Sequence, residues 1–181
     1  MASQLRVDKI VPVDGVPTNG GGGVIQVVQS VKNDVSSHDT TSGSDWVGHG
    51  LSVTITPKFS TSKILITGNI TLCLNYSETV WYKLFKGGSV ITGAVGDQLG
   101  SNRARATGAT YFQADEWANS QIHIEYLDTA GSTSALTYTP ALSISTTSSG
   151  RTLYVNRPAS STDNANYASY ISTLTAMEIS A

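Results

Sequence analysis

The stretch "KILITGNITLCLN", Lys63 to Asn75, decides the fold class. Ile64, Ile66, Ile70, Leu72 and Leu74 fall on one face, with Gly68 interrupting them. Leu65, Thr67, Asn69, Thr71 and Cys73 fall on the other. A period of two held over this length is the pattern of a strand, not of a helix. A glycine in the middle of a strand predicts a bulge or a neighbouring backbone that approaches closely.

The same period recurs on both sides of this stretch. In "LSVTITP", Leu51, Val53 and Ile55 share a face and Pro57 ends the run. "TVWYKLFKGG" reads as a strand opening into a glycine turn, followed by short "SVIT". "TYFQA" and "SQIHIEYLDT" follow, and "SALTYTPALSIS" reads as a strand bent at Pro140. "RTLYVNRP" and "YASYISTLTAMEIS" complete the set, the last placing Ile171, Met177 and Ile179 on one face. No segment carries apolar residues at helical spacing over three turns. Short strands separated by frequent turn signals predict an all-β fold. The expected architecture is an antiparallel β-sandwich, jelly-roll-like, with a short extended N-terminal arm.

Composition fits that reading. Only 13% of the 181 residues are charged, while about a quarter are Ser or Thr. Thr is β-branched and suited to strands. The formal net charge of −2 supplies no basic footprint for nucleic acid. No apolar run reaches the length of a membrane-spanning helix, so membrane insertion is not expected. The N-terminal "MASQLRVDKI" lacks the apolar core of a signal peptide, which leads to the expectation of a protein made and assembled in a cytoplasm. Cys73 is the single cysteine, so no intrachain disulfide forms; inside a strand it reads as buried filling.

The chain divides at "NGGGGVIQVVQ", Asn19 to Gln29. A phosphate-binding loop needs glycines that open a helix, with Lys and Ser or Thr behind them. Here Gly20 to Gly23 precede a strand, so they read as a hinge. Residues 1–23 form the expected arm, too poor in apolar area to fold alone, and residues 24–181 the knob. Leu5, Val7, Ile10 and Val11 are the arm's candidate anchoring contacts. After the hinge, Val24 and Val28 are expected on one face and Ile25, Val27 and Val31 on the other. A strand apolar on both sides needs a cover on both sides. This makes Val24, Gln26, Val28 and Gln29 candidate residues of an interface between copies.

Candidates for chemistry are sparse. His38, His49 and His123 lack zinc-helix spacing, and His49, between glycines, reads as a turn or solvated residue. Asp115 and Glu116 are neighbours and would point to opposite faces of a strand. No GxSxG elbow is present. The expectation is therefore no catalytic residue, no metal and no cofactor. Asp97, Asn102, Arg103 and Arg105, in "GDQLGSNRARATG", form the densest polar cluster; they read as a structural loop, with Asp97 pairing an arginine of this chain or of a neighbouring subunit, or as a contact loop for a virion partner or an acidic glycan. Trp46, Trp81 and Trp117 are each read as core residues, although exposed rings would suit sugar stacking.

Four segments, "VIQVVQSVKND", "GLSVTITPKFSTSKILI", "GDQLGSNRARAT" and "LYVNRPASSTDNANYASYISTLTAMEIS", resemble in order a domain of tailed-bacteriophage tail-fibre and virion structural proteins. "LRVDKIVPVDGVP" is similar to the segment preceding that domain. The resemblance spans nearly the whole chain, and its motifs are structural. It implies a homotrimeric virion appendage with an arm docked to tail, baseplate or capsid proteins. It also implies a knob displayed for adsorption to a host surface glycan or protein. The arm is short for a fibre, which keeps open the alternative of a capsid decoration protein, a cement or head fibre.

Overall fold

The computed structural model describes residues 23–40, 45–113, 117–145, 150–160 and 162–180. The candidate arm contacts Leu5, Val7, Ile10 and Val11 lie outside these residues, as do Gly20 to Gly22 of the hinge and the neighbours Asp115 and Glu116. The described chain is all-β, apart from one 3-10 turn at Thr92–Ala94. Its strands are β1 Val24–Lys32, β2 Ser36–Thr40, β3 Val53–Ile55, β4 Lys63–Leu74, β5 Thr79–Lys86 and β6 Ser89–Val90. They continue as β7 Gly108–Tyr111, β8 Asn119–Thr129, β9 Leu136–Ile144, β10 Arg151–Val155 and β11 Ser172–Ile179.

All pairings are antiparallel and form two sheets. In the first sheet β11 pairs with the first half of β4 and β10 with its second half, while β8 runs along the whole opposite edge. β1 pairs with β11 and β2 with β10. Thus β1 and β2 are two pieces of one row, and β10 and β11 are two pieces of another. The second sheet repeats the device: β6 and β7 lie end to end along β5, and β9 joins β5 to β3. Counted as rows in chain order, the first sheet is 1-8-3-6 and the second 2-7-4-5. That winding of eight rows in two four-row sheets is the jelly roll.

The inner faces supply the core. Ile64, Ile66, Ile70, Leu72 and Leu74 of β4 are all buried, as the alternation predicts. They meet Val80, Tyr82 and Leu84 of β5 and Tyr138, Leu142 and Ile144 of β9. Two carboxylates brace the space between sheets. Asp128 accepts from the Lys86 ammonium and the Tyr138 hydroxyl, each at 2.8 Å. Glu178, fully buried, accepts from Gln26 Nε2 at 2.6 Å and from the amides of Lys58 and Phe59. Burial alone would raise the Glu178 pKa, but these donors outweigh it and hold the carboxyl below its ordinary value.

Two local expectations resolve in physical terms. β4 keeps register through Gly68, so no bulge is present. A Cβ there would lie 2.2 Å from the Thr173 carbonyl oxygen, so the glycine admits the β11 backbone. Pro140 does not break its strand; β9 runs straight through it, opposite Leu84. The Leu142 amide points at Val47, so the missing Pro140 N–H lies on the same side. There row 2 is interrupted between Val47 and Val53, and no ladder bond is lost.

The break in row 8 is the costliest feature. Between Val155 and Ser172 the chain leaves the sheet, which strips Thr71 of its ladder partners on that side. Its carbonyl accepts the Asn156 amide at 3.0 Å, and its amide donates to the Ser172 hydroxyl at 3.1 Å. The Ser172 hydroxyl donates in turn to Asn156 Oδ1, at 2.6 Å. Asn156 Nδ2 donates to the carbonyls of Lys32 and Asp34, where row 1 passes from β1 to β2. Asn156 has a φ of 63°, a left-handed backbone that asparagine tolerates better than most residues. Asn156→Ala is expected to lower stability by about 2–5 kcal/mol, because it strips the buried Lys32 carbonyl and the partly buried Asp34 carbonyl of their donor and the buried Ser172 hydroxyl of its acceptor. Urea unfolding checks this, and a loss under about 1 kcal/mol would show that the break tolerates dismantling.

Candidate functional site

The breaks in rows 5 and 8, the outer face of the first sheet and the His38–His49 pair hold the candidate sites of the described chain. β1 contains a register shift between Val24 and Gln26. The extra residue rotates the rest of the strand, so the expected faces are not the observed ones. Gln26 and Val28 turn inward: Gln26 binds Glu178 and the Thr56 carbonyl, and Val28 packs on the core. Val24, Val27, Gln29 and Val31 are the exposed residues of the strand. The sequence grouping of Val24 with Val28, opposite Val27, is corrected by that bulge. Of the four candidate interface residues, Val24 and Gln29 therefore stand on the free face.

On that face the register aligns apolar side chains across all four rows. Val27 pairs with Met177, Met177 with Leu65, and Leu65 with Leu127. The ends of this ladder, Val27 and Leu127, are 56% and 53% exposed. Exposed Val24 and partly buried Ile179, themselves paired, widen it on one side. The next rung is Gln29, Thr175, Thr67 and Glu125, with Gln29 Nε2 donating to Thr175 Oγ1 at 3.0 Å. Charge on this face gathers toward β4 and β8, at Lys63, His123 and Glu125. Contiguous apolar surface of this kind on a soluble domain marks an interaction site more often than chance exposure.

The other half of the face is covered. Thr71 and Cys73 point outward, yet both are buried. The described residues of the row 8 excursion, 156–160 and 162–171, lie over them: Thr71 Oγ1 donates to the Ile171 carbonyl, and Tyr170 Oη accepts from Asn119 Nδ2 across β4. Cys73 is thus the filling that its place in a strand predicts. The excursion bounds an open cleft of about 300 Å³ lined by Arg157, Ser160, Thr162, Asp163, Asn164 and Tyr167, among others. Beside it Trp117 packs edge-on against Tyr167, ring centres 5.2 Å apart. Trp117 is 56% exposed, contrary to the core expectation, whereas Trp46 and Trp81 are partly buried.

Asp97, Asn102, Arg103 and Arg105 occur together in the excursion of row 5, residues 91–107, at the edge of the second sheet. Asp97 caps the Gln98 amide at 2.8 Å and, among the described residues, pairs with neither arginine. Arg105 Nε donates to the Gly96 carbonyl, and the Gln98 amide group reaches the carbonyls of Gly100 and Arg103. Asn102 and Arg103 remain exposed. This loop is therefore self-bonded, and it belongs to the opposite sheet from the apolar ladder.

His38 and His49, unlinked in sequence, meet with ring centres 5.9 Å apart. His49 and Gly50 both have positive φ in a turn closed by the Leu51 amide on the Gly48 carbonyl. His49 is not a solvated residue. Burial first, then the charges of His38 and Lys32, lower its pKa to about 4. Lys32 is itself buried and paired with Asp34 at 2.7 Å. No group of three or more His, Cys, Asp or Glu suited to a metal ion occurs among the described residues.

No family model matches the chain, and no curated protein matches it. Among solved structures it is similar to a chain in the structure of infectious bursal disease virus, Gx strain. The TM-score is 0.44 and the identity 14%, over 86% of this chain and 36% of that one. The chain thus spans about a third of the length of that virus chain.

His49 sets an acid limit. A His held neutral in the fold, but free to protonate once unfolded, adds its full stability only above its ordinary pKa of 6.5. That contribution is expected to fall away as pH drops from about 6.5 toward 4, by about 2–3 kcal/mol. His49→Asn, which accepts the left-handed turn, should flatten stability over this window. Denaturant midpoints at pH 7 and pH 4.5 provide the check, and an unchanged slope in the variant would rule out His49 as the source.

Proposed function

We propose that this chain is a structural protein of a virion, a jelly-roll subunit that assembles with copies of itself through the uncovered half of its first sheet. The observation that carries this reading is the apolar ladder Val27, Met177, Leu65 and Leu127, lined up by the sheet register on a face that no other described residue covers. The ladder runs from one edge of the sheet to the other, and its ends differ. The β1 end carries only valines and Gln29, while the β8 end places Leu127 beside Glu125. Different ends suit a contact in which one edge of a protomer meets the other edge of the next, the arrangement that closes rings. A homotrimer is the smallest such ring.

The resemblance to tailed-phage appendage proteins supports a virion setting and adsorption to the host surface. The sparse surface charge supports a role built on assembly and display. Gly23, at the edge of the ladder face, receives the Ser180 amide on its carbonyl, so the chain enters β1 at the rim of that face. An arm attached there would reach a particle while the opposite end of the sandwich faces outward. Three such arms would bind through their few apolar residues, Leu5, Val7, Ile10 and Val11, with a gain from effective concentration.

Light scattering at micromolar concentration is expected to return three times the 19.0 kDa protomer mass. Val27→Lys with Leu127→Lys is expected to return a folded monomer with unchanged circular dichroism, its thermal midpoint lowered only by the lost assembly, since both side chains are half exposed in the single protomer. A wild-type species of 19.0 kDa would remove the self-assembly reading. Deletion of residues 1–23 is expected to abolish incorporation into particles. A truncated knob that still decorates particles would assign attachment to the sheet face, as in a capsid decoration protein.

A further inference from the structure

We infer that the cleft lined by Arg157, Ser160, Thr162, Asp163, Asn164 and Tyr167, together with Trp117, is a glycan-binding site that takes pyranose sugars. This rests on the adsorption reading above and names the ligand class for it. The excursion is long, yet it is fixed at its two ends. Asn156 and Ser172 lock the points where it leaves and rejoins the sheet. Tyr170 hydrogen-bonds Asn119, and within the loop the Tyr167 amide donates to the Asn164 carbonyl and the Asn166 amide to Asn164 Oδ1. A loop held at these points presents a preorganised surface, which lowers the ordering cost of binding.

The chemistry of the lining selects the ligand. Ser160 and Thr162 offer hydroxyls, Asn164 an amide, Asp163 a carboxylate and Arg157 a guanidinium. Arg157 stacks on the Tyr154 ring with 4.5 Å to its centre, which fixes the guanidinium beside the cleft. Donors and acceptors of both kinds, with one positive and one negative group, match a ring of hydroxyls better than an anion. The volume of about 300 Å³ sits at the low end for ligand pockets and suits about one or two sugar rings. A pyranose also has an apolar C–H face. Trp117 supplies its counterpart, an indole 56% exposed and braced edge-on by Tyr167, which itself lines the cleft. A nucleic acid would need more cations than Arg157 alone, and a lipid would need a lining more apolar than Val35, Pro158 and Ala168 provide among these polar groups.

The test uses the full chain and saturation-transfer NMR with methyl glycosides of glucose, galactose, mannose and N-acetylglucosamine. At least one is expected to receive saturation on its ring C–H protons and to bind with a Kd in the millimolar range, about 1–10 mM. Trp117→Ala should weaken it about tenfold. Asp163→Ala, at an exposed position, should weaken it or change the preferred sugar. Circular dichroism and light scattering on each variant should match wild type, which separates lost binding from lost fold or assembly. If no glycoside receives saturation while the protein is folded and oligomeric, the glycan site is refuted and the assembly reading stands. Binding that persists unchanged in both variants places sugar elsewhere and also refutes it. A monomer that binds sugar through Trp117 keeps the glycan site and overturns the assembly reading.

Discussion

The structure depends on how the two orphaned backbone groups of Thr71 are satisfied. A β-sheet tolerates a gap in an inner row only if the neighbouring strand finds other partners for its N–H and C=O. Here the amide of Asn156 and the hydroxyl of Ser172 take the places that two missing strand residues would occupy. The Asn156 side chain then reaches across to row 1 and holds it where β1 gives way to β2. Asn156 thus joins three rows, by its backbone amide to row 3 and by its side chain to row 1, at the place where rows 1 and 8 are each interrupted. A buried network of this kind is stabilising only when every member is satisfied.

That solution is what allows a simple eight-row jelly roll to carry specialised surface. Opening row 8 in its middle releases an excursion whose described residues, 156–160 and 162–171, lie over the outer face of the first sheet, where they bury Thr71 and Cys73 and form a cleft. Opening row 5 releases residues 91–107 from the edge of the second sheet. The remaining half of the first sheet's outer face stays uncovered by the described chain and keeps its apolar ladder. The proposed assembly and ligand-capture surfaces therefore occupy different halves of one face, and a change in either leaves the inner core intact.

The strands and their inner faces were legible from period alone. In β4 every residue expected inside is inside, because one buried face imposes a register that a shift of one residue would reverse. The outward face of β1 was legible only in part. "VIQVVQ" announced a strand with two apolar sides, but the bulge near Ile25 decided which valines face out, and nothing in the local sequence marks it. Trp117 reads like any core tryptophan until the edge-on packing on Tyr167 shows where it stands. Asn156 sits in "YVNRP", which reads as the end of a strand; its role comes from Lys32, Asp34, Thr71 and Ser172, none adjacent to it in the chain.

By itself, the sequence determined an antiparallel sandwich and a polar surface poor in charge, and it holds no recognisable catalytic motif. These follow from local pattern and composition, which need no knowledge of neighbours. Only the tertiary structure decided the row order, the alignment of Val27, Met177, Leu65 and Leu127, the meeting of His38 with His49, and the joining of Trp117 to the cleft. Each depends on cross-strand register between segments far apart in the chain, and register is set by the packing of whole sheets.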